Sequence, residues 1–504
     1  MEHQDLAHAS AIIGAIGAPV LLVARNRLQQ LAGLAVLVIG EVGLAYALVP
    51  DAPGLVAESS LRIATLLAGA VLVAALTVVF ARFPAAAPVV LLVVAPFRFS
   101  VGLGHEQAFL LVPFYAVLLA ACVALAYRIV RGARSDPLPP LVSVPASALV
   151  ALAGISLLWA HDLRAGTIEL MFFYFPFSAL LAVVAWAPIR PWSWRVLATA
   201  LVALTSVFAA IGLYQAWSHT EILAKQAIQL SNAREAFFRV TSVFQDPSVY
   251  GRHLVLGMVV LLSLLVLGKV RPAVGLPLLG LLAAGLFFSY SQTSFASLFA
   301  AVLVVVLIAG DRVTRRVAVG TAAALAAVGV VAVLLFTNGD SANRISRDRL
   351  PLARLTVPVY VHHPVAGVGI GSQPLVSRRE EDAKKLKSKN VSHTTPLTVG
   401  AELGTIGLLV YLGFLAALVR AILLTWRRQQ ALGLVLAGSL TALVVQSLFY
   451  GGFFEDPFVW GIAGVAAAAL RLVPVTAPAA ARTERGAAAP HVDPLHARPP
   501  ATPG

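Results

Sequence analysis

The chain has 504 residues, of which 59% are hydrophobic and 12% charged, with a mean hydropathy of +0.87. Soluble globular domains carry about 25% charged residues, so an ordinary soluble protein is excluded. Lys and Arg outnumber Asp and Glu by 37 to 23, a formal charge of +14, but in so apolar a chain basic loop residues set topology and nucleic acid is not implied as a partner.

The apolar runs Leu141 to Ala160, Val196 to Trp217, Val317 to Phe336 and Ala431 to Phe449 approach or exceed the roughly 17–25 residues that cross a bilayer as a helix. Open strands would leave backbone groups unpaired in lipid. The expected fold is therefore all-α, a polytopic helical membrane protein with about 12–15 transmembrane helices. The stretches near residues 10–24 and 85–97 are short enough to be tilted or re-entrant. The opening MEHQDLAH carries Glu2 and Asp5 instead of the basic start of a signal peptide, so the first helix reads as an uncleaved anchor. Glu41, in the second run, is an intramembrane acid expected to have a structural partner. The one cysteine, Cys122, falls in an apolar run, which excludes a disulfide framework or cysteine zinc cluster.

The short loops alternate in charge. Arg25 and Arg27, Arg82, Arg128 to Arg134, Arg190 and Arg195, Lys269 and Arg271, the run DRVTRR at 311–316, and Arg420, Arg427 and Arg428 mark one side. That side is cytoplasmic by the positive-inside rule. The intervening loops, DAPGLVAESS at 51–60, HDLRAG at 161–166 and the FFEDPF turn with Glu455 and Asp456, are neutral or acidic. Residues 1–473 form a single integral membrane domain on this reading. Residues 474–504, rich in Pro, Ala and Arg, are expected to be a disordered cytoplasmic tail.

Two long outer loops break the alternation. Residues 218–253 hold four basic and three acidic side chains, and residues 337–392 hold ten and five, a net charge of +5. Loops approaching 60 residues escape the topology rule, so these are either solvated loops or an anion site at the outer leaflet. Arg239 ends the first loop, and an arginine fork grips diphosphate oxygens bidentately at every relevant pH. Arg252 is a second candidate contact or a snorkelling interface anchor. His393 ends the second loop, just before Thr395 and Pro396, a capping pattern that starts a helix and aims its positive dipole end outward. A titratable base there suits a substrate with its tail in lipid and its head in water. Glu402 lies in the apolar helix that follows, where a carboxylate is costly and usually functional or paired, and it is placed to orient a cation or His393. Gly400 and Gly404 have the GxxxG spacing of close helix packing. His362 and His363 are adjacent and point apart on a helix, so they make no metal pair. VGIGS follows no strand of a βαβ unit, which speaks against a dinucleotide site; its glycines either bring backbone close to a sugar or phosphate or make a turn.

These segments resemble the O-antigen ligase and polymerase superfamily of membrane glycosyltransferases, over roughly residues 150–460. RVTSVFQDPS is similar to its Arg-x-x-Gly-x-Phe-x-x-Pro-Asn signature: Arg239, Phe244 and Pro247 match, while Ser242 replaces Gly and Ser248 replaces Asn. In SYSQTSFASL, Gln292 stands where the family has a second arginine. The stretch 349–373, with Arg354, is similar to the segment leading into Pro-x-x-Gly-x-Gly, matched by Pro364, Gly367 and Gly369 and followed by Gly371. His393, Glu402, Gly404 and Gly407 match the family's His…Glu-x-Gly-x-x-Gly. SLLWAHDLRAGTIELMFFYFPF, 156–177, is similar to its central segment.

The resemblance implies a GT-C-like membrane enzyme of the inner or plasma membrane with its active site outside. It would be an inverting, metal-independent glycosyltransferase without a cofactor. It would transfer or polymerise an oligosaccharide from a polyprenyl diphosphate onto an acceptor glycan or lipid, amid membrane lipids and without nucleic acid. Catalysis falls by resemblance to His393, Arg239 and Glu402, and substrate contact to Arg252, Gln292, Arg354, Gly367 and Gly369. A transporter or flippase of lipid-linked glycans, and an inactive family member serving as a scaffold, are the alternatives. Gln292 is the residue that keeps the scaffold open.

Overall fold

In a bilayer every backbone N–H and C=O must be satisfied within its own segment, and the apolar runs accordingly form helices. The computed structural model describes residues 3–48, 60–103, 106–133, 136–188, 191–234, 237–336, 349–379 and 392–471. The chain divides into units 1–472 and 473–504. The second, and with it the tail expected from the sequence, lies outside the described residues.

The elements in order are α1 (Gln4–Val23), α2 (Arg27–Leu48), α3 (Ser60–Arg82), α4 (Ala86–Val94), strands β1 (Phe99–Leu103) and β2 (Glu106–Leu110), α5 (Val112–Val130) and α6 (Pro140–Ser156). Next, α7 (Leu163–Glu169) runs through a π turn (Leu170–Tyr174) into α8 (Phe175–Trp186), followed by α9 (Pro191–Ser218), α10 (Gln226–Arg234), α11 (Pro247–Val266), α12 (Pro272–Ser289), α13 (Gln292–Ala309) and α14 (Arg312–Phe336). The last are α15 (Arg349–His362), α16 (Gln373–Ser377), α17 (Thr395–Arg428), α18 (Gln430–Ser447) and α19 (Pro457–Arg471).

Among the described residues, 11 helices are long and apolar enough to cross a membrane, and Leu67–Arg82 and Pro457–Arg471 are shorter apolar helices. The protein is thus a polytopic helical membrane protein. The β1–β2 pair is an antiparallel hairpin with Phe99 opposite Leu110, a local feature that the apolar pattern around it does not signal. The nine residues of α4 rise about 13 Å, half a span; Pro84 before it lies beside Arg128 and Arg98 after it beside Glu455, so the stretch 85–97 joins the two ends of the bundle and is not re-entrant. The stretch 10–24, by contrast, belongs to the 20-residue α1, long enough to cross alone.

Hydrogen bonds between segments distant in sequence sort the loops into two ends. At one end Arg27 Nη2 donates to Gly132 O (2.6 Å), Trp186 Nε1 to Asp136 O (3.0 Å) and Arg471 Nη1 to Ala185 O (2.6 Å). At the other, Arg98 Nη2 donates to Glu455 O (3.3 Å), Thr394 Oγ1 to Leu448 O (3.2 Å), and the amide of His161 to Val368 O (3.2 Å). The basic loops gather at the first end and the polar loops at the second, as their alternation requires. The core beneath the polar end is aromatic: Tyr411, Phe414, Phe453, Phe454 and Trp460 are buried together. A second cluster of Phe208, Val240, Phe244, Tyr250 and Leu286 fastens the first polar loop onto α9, α11 and α12.

Helix α17 is not continuous. Gly404 has φ 65° and ψ −166°, a conformation essentially confined to glycine. Breaking a helix orphans carbonyls before the break and amides after it, and both sets are answered by the turn at 364–369. Val368 N and Gly369 N donate to Ala401 O (3.0 Å) and Glu402 O (2.8 Å), while Thr405 N and Ile406 N donate to Pro364 O (2.7 Å) and Val365 O (3.4 Å). Gly404 therefore serves the break, and the GxxxG reading holds only for Gly400, whose face lies against the Tyr360 ring. Glu402 sits in the short piece before the break, not within the membrane-length piece that follows.

Candidate functional site

Two helices frame the polar end, and both begin with Asp-Pro. Asp246 caps α11 by accepting from Ser248 N at 2.8 Å, with Pro247 in the first turn. Asp456 accepts from Phe458 N at 2.9 Å at the start of α19, where Pro457 follows it. An aspartate at the cap satisfies orphan amides, and proline there loses no hydrogen bond. The cap of α19 also receives Arg252 from α11 in a buried ion pair, so the two helix starts are locked to each other.

Between them lies a chamber of about 360 Å³ whose walls include Arg98, Lys225, Asp246, Arg252, Tyr450 and Glu455. Tyr450 is the shared wall. The Arg252 guanidinium sits 5.5 Å from its ring centroid, and the His393 ring stacks against it at 6.4 Å and 29°. His393 thus stands at the edge of a cation-lined chamber. Burial raises the Tyr450 hydroxyl above the usual tyrosine range. Burial likewise pushes the Glu455 carboxyl up, with Arg98 and Arg252 pulling against it. For Asp456 burial also works upward, but the Arg252 guanidinium and the Phe458 amide outweigh it and hold the carboxyl below its ordinary value.

Of the residues singled out by sequence, Arg252 lines this chamber, and His393 stands outside its wall in ring contact with Tyr450. Arg239 is half-buried nearby in the chain, its amide held by Asn232 Oδ1 at 2.9 Å, but it is not part of the chamber wall. Gln292 is the exposed first residue of α13, and Arg354 is exposed on α15. Gly367 and Gly369 have φ of 68° and 87°, and a Cβ on them would lie 2.3 Å from Glu402 C and from Ala160 Cα respectively. Their close approach is to the protein's own backbone, so the tight turn itself requires glycine there. Glu402 accepts from Gln373 N at 3.3 Å, on the side of the turn.

Sequence reasoning missed Arg98, Lys225, Tyr450 and Gln373 as members of the site. Arg98 carried a usable signal: it is a cation at the polar end, where alternation places none. Tyr450 precedes an acidic turn between two spans and has no chemical mark of its own. Among the described residues, no group of three or more His, Cys, Asp or Glu is placed to hold a metal ion.

Fold and site together define a polytopic helical membrane protein with a cation-lined polar chamber at one end of its bundle. Residues 277–412 match the family model described as O-antigen ligase, a segment that runs from α12 through the break in α17 and includes His393 and Glu402. The similarity to the O-antigen ligase and polymerase superfamily therefore holds, and an O-antigen ligase-like function in general goes with it. No curated protein matches the chain.

Proposed function

We propose that the protein transfers an oligosaccharide from a polyprenyl diphosphate carrier to an acceptor hydroxyl at the outer leaflet, with inversion and without a metal. The observation that carries this reading is His393 stacked on Tyr450 at the edge of the chamber lined by Arg98, Lys225 and Arg252. An apolar cavity of about 140 Å³ supports it. Val249 and Arg252 of α11 line the chamber, and Leu256 and Val260 of the same helix line the apolar cavity. At α4 and α19 the order is the same: Arg98 follows α4, whose Leu91 lines the apolar cavity, and Glu455 precedes α19, whose Ile462 lines it. A polar room followed inward by an apolar one, between the same three helices, suits a charged head on a hydrocarbon tail.

In this reading the acceptor oxygen attacks the anomeric carbon, the bond from that carbon to the diphosphate oxygen breaks, and the bonding pair leaves on the diphosphate. The acceptor proton passes to the neutral His393 imidazole, the usual general base near neutral pH. Arg98, Lys225 and Arg252 face the charge that develops on the leaving group, where preorganised donors act most strongly.

The test uses purified protein in detergent, without a membrane gradient. Given a polyprenyl-diphosphate oligosaccharide and an acceptor, it should release polyprenyl diphosphate at a rate that chelator does not change. His393→Ala should lose roughly 10²–10⁴-fold in turnover while donor binding survives. Wild-type transfer by His393→Ala would remove the base from the mechanism.

A flippase of lipid-linked glycans is the second reading, favoured by the broken α17 beside the buried Glu402, because discontinuous helices mark transporter sites. Movement of the glycan lipid without release of polyprenyl diphosphate would support it.

A further inference from the structure

Gln373, the first residue of α16, is fully buried. Its Nε2 donates to Thr356 Oγ1 at 3.1 Å and to Ser377 Oγ at 2.7 Å. A primary amide has two N–H donors, so both are directed at α15 and α16, and the plane of the amide is set. Its Oε1 then accepts from the Ser392 amide at 3.0 Å, one residue before His393. The backbone N–H of Gln373 donates to Glu402 Oε1 at 3.3 Å. One side chain and its own amide thus tie together α15, α16, the end of the second polar loop and the first piece of α17.

On the other side of His393, Thr394 is pinned by its hydroxyl bond to Leu448 O at 3.2 Å. Ser392 and Thr394 also bond to each other, Thr394 N to Ser392 Oγ at 3.2 Å. His393 therefore projects from a backbone held at both flanking residues, and its ring meets Tyr450 at the chamber. The pin on the Ser392 side is supplied by Gln373.

We propose that Gln373 is a positioning residue for His393: its amide oxygen fixes the Ser392 backbone and so holds the imidazole at the chamber edge. The proposal rests on the reading of His393 as general base. Glutamate cannot replace Gln373, because a carboxylate lacks donors for Thr356 and Ser377. Thr356 already spends its own hydrogen on Leu352 O at 2.8 Å, and Glu402 lies alongside. Misplacing a catalytic group by about 1 Å is enough to cost about 100-fold in rate, so the effect should appear in kcat.

The experiment is a double-mutant cycle on the full-length protein in nanodiscs. The donor is polyprenyl-diphosphate oligosaccharide extracted from host cells lacking the protein. Gln373→Met, close in shape but without the amide, should lower kcat by about 10–100-fold and leave the donor KM unchanged. In a His393→Ala background it should lower kcat no further, because it acts only through the imidazole. Ser377→Ala removes one anchor of the amide and should show the same pattern at smaller amplitude. It decides the question if Gln373→Met gives no folded protein by gel filtration and thermal melting. Losses that multiply in the double variants, or a raised KM with kcat intact, would overturn the positioning role while the transferase reading stands. Wild-type turnover by His393→Ala alone would overturn the base assignment and the positioning role together.

Discussion

Ser242 holds φ 53°, a left-handed conformation that costs an L residue about 1–2 kcal/mol. It is the position at which the family signature has glycine, so the backbone keeps the glycine shape although the residue has changed. Compensation is visible: Ser242 Oγ donates to Phe208 O at 2.9 Å, and Gln215 both accepts from Ser242 N (2.6 Å) and donates to Ser242 O (3.0 Å). Ser242→Gly should relieve the strain and lose a hydrogen bond worth about 1 kcal/mol, leaving stability nearly unchanged. Ser242→Ala loses the bond and keeps the strain, so it should melt lower than the glycine variant. The reverse order in detergent melting curves would discard this account. At the chamber, Arg98→Gln should raise the donor KM about tenfold or more, since a hydrogen bond to a charged group contributes about 1.5–3 kcal/mol, whereas Arg354→Gln on exposed α15 should not. Glu455 gives a pH signature. Its folded-state carboxyl is raised by burial, so between the unfolded and folded values the native state binds more protons and stability falls as pH rises through that window. Glu455→Gln should remove that fall, raising the melting temperature at neutral pH but not in acid. An equal pH slope in the variant would assign it to another group.

At the level of elements, the break in α17 decides how the second polar loop is shaped. A Cβ at Gly404 would lie 2.1 Å from Val365 O in addition to its positive φ, so Gly404→Ala should cost at least the roughly 1–3 kcal/mol of a forced backbone conformation. Gly413, later in the same helix, has nothing within 4 Å of such a Cβ. Gly413→Ala should be neutral or mildly stabilising, since alanine is the better helix former by about 1 kcal/mol. Equal melting temperatures for the two variants would mean that the break is not maintained by Gly404. The break also marks the limit of what the sequence reveals. Apolar length and the Thr-Pro cap were enough to find α17, whereas the Asp246-Pro247 start of α11 emerges only in the structure. Neither distinguishes a helix glycine that packs from one that interrupts. The difference at Gly404 comes from residues 364–369, some 35–40 positions away in the chain, whose free carbonyls and amides complete the break. The same holds for the site. His393 and Arg252 could be read from residue type and position, whereas Tyr450 and Gln373 acquire their roles only through long-range contacts.

For the whole molecule, the separation of loops into a basic end and a polar end is the physical basis for topology. The basic end holds Arg27, Arg271 and Arg428, and the polar end holds His161, Lys225 and His393. Moving lysine or arginine through the bilayer is unfavourable during insertion, so the basic end should face the cytoplasm. The chain suits a direct test because its single cysteine, Cys122, is buried within α5. In a Cys122→Ala background, Gln226→Cys on α10 and Val361→Cys on α15, both exposed at the polar end, should react with a membrane-impermeant maleimide in intact cells. Lys269→Cys and Arg312→Cys, exposed at the basic end, should react only after permeabilisation. Labelling of all four from one side would contradict the spanning helices between them. Labelling of the two pairs in the opposite sense would turn the His393 chamber toward the cytoplasm. A donor presented at the outer leaflet could not then reach it, and the transferase reading would have to give way to one with a cytoplasmic substrate.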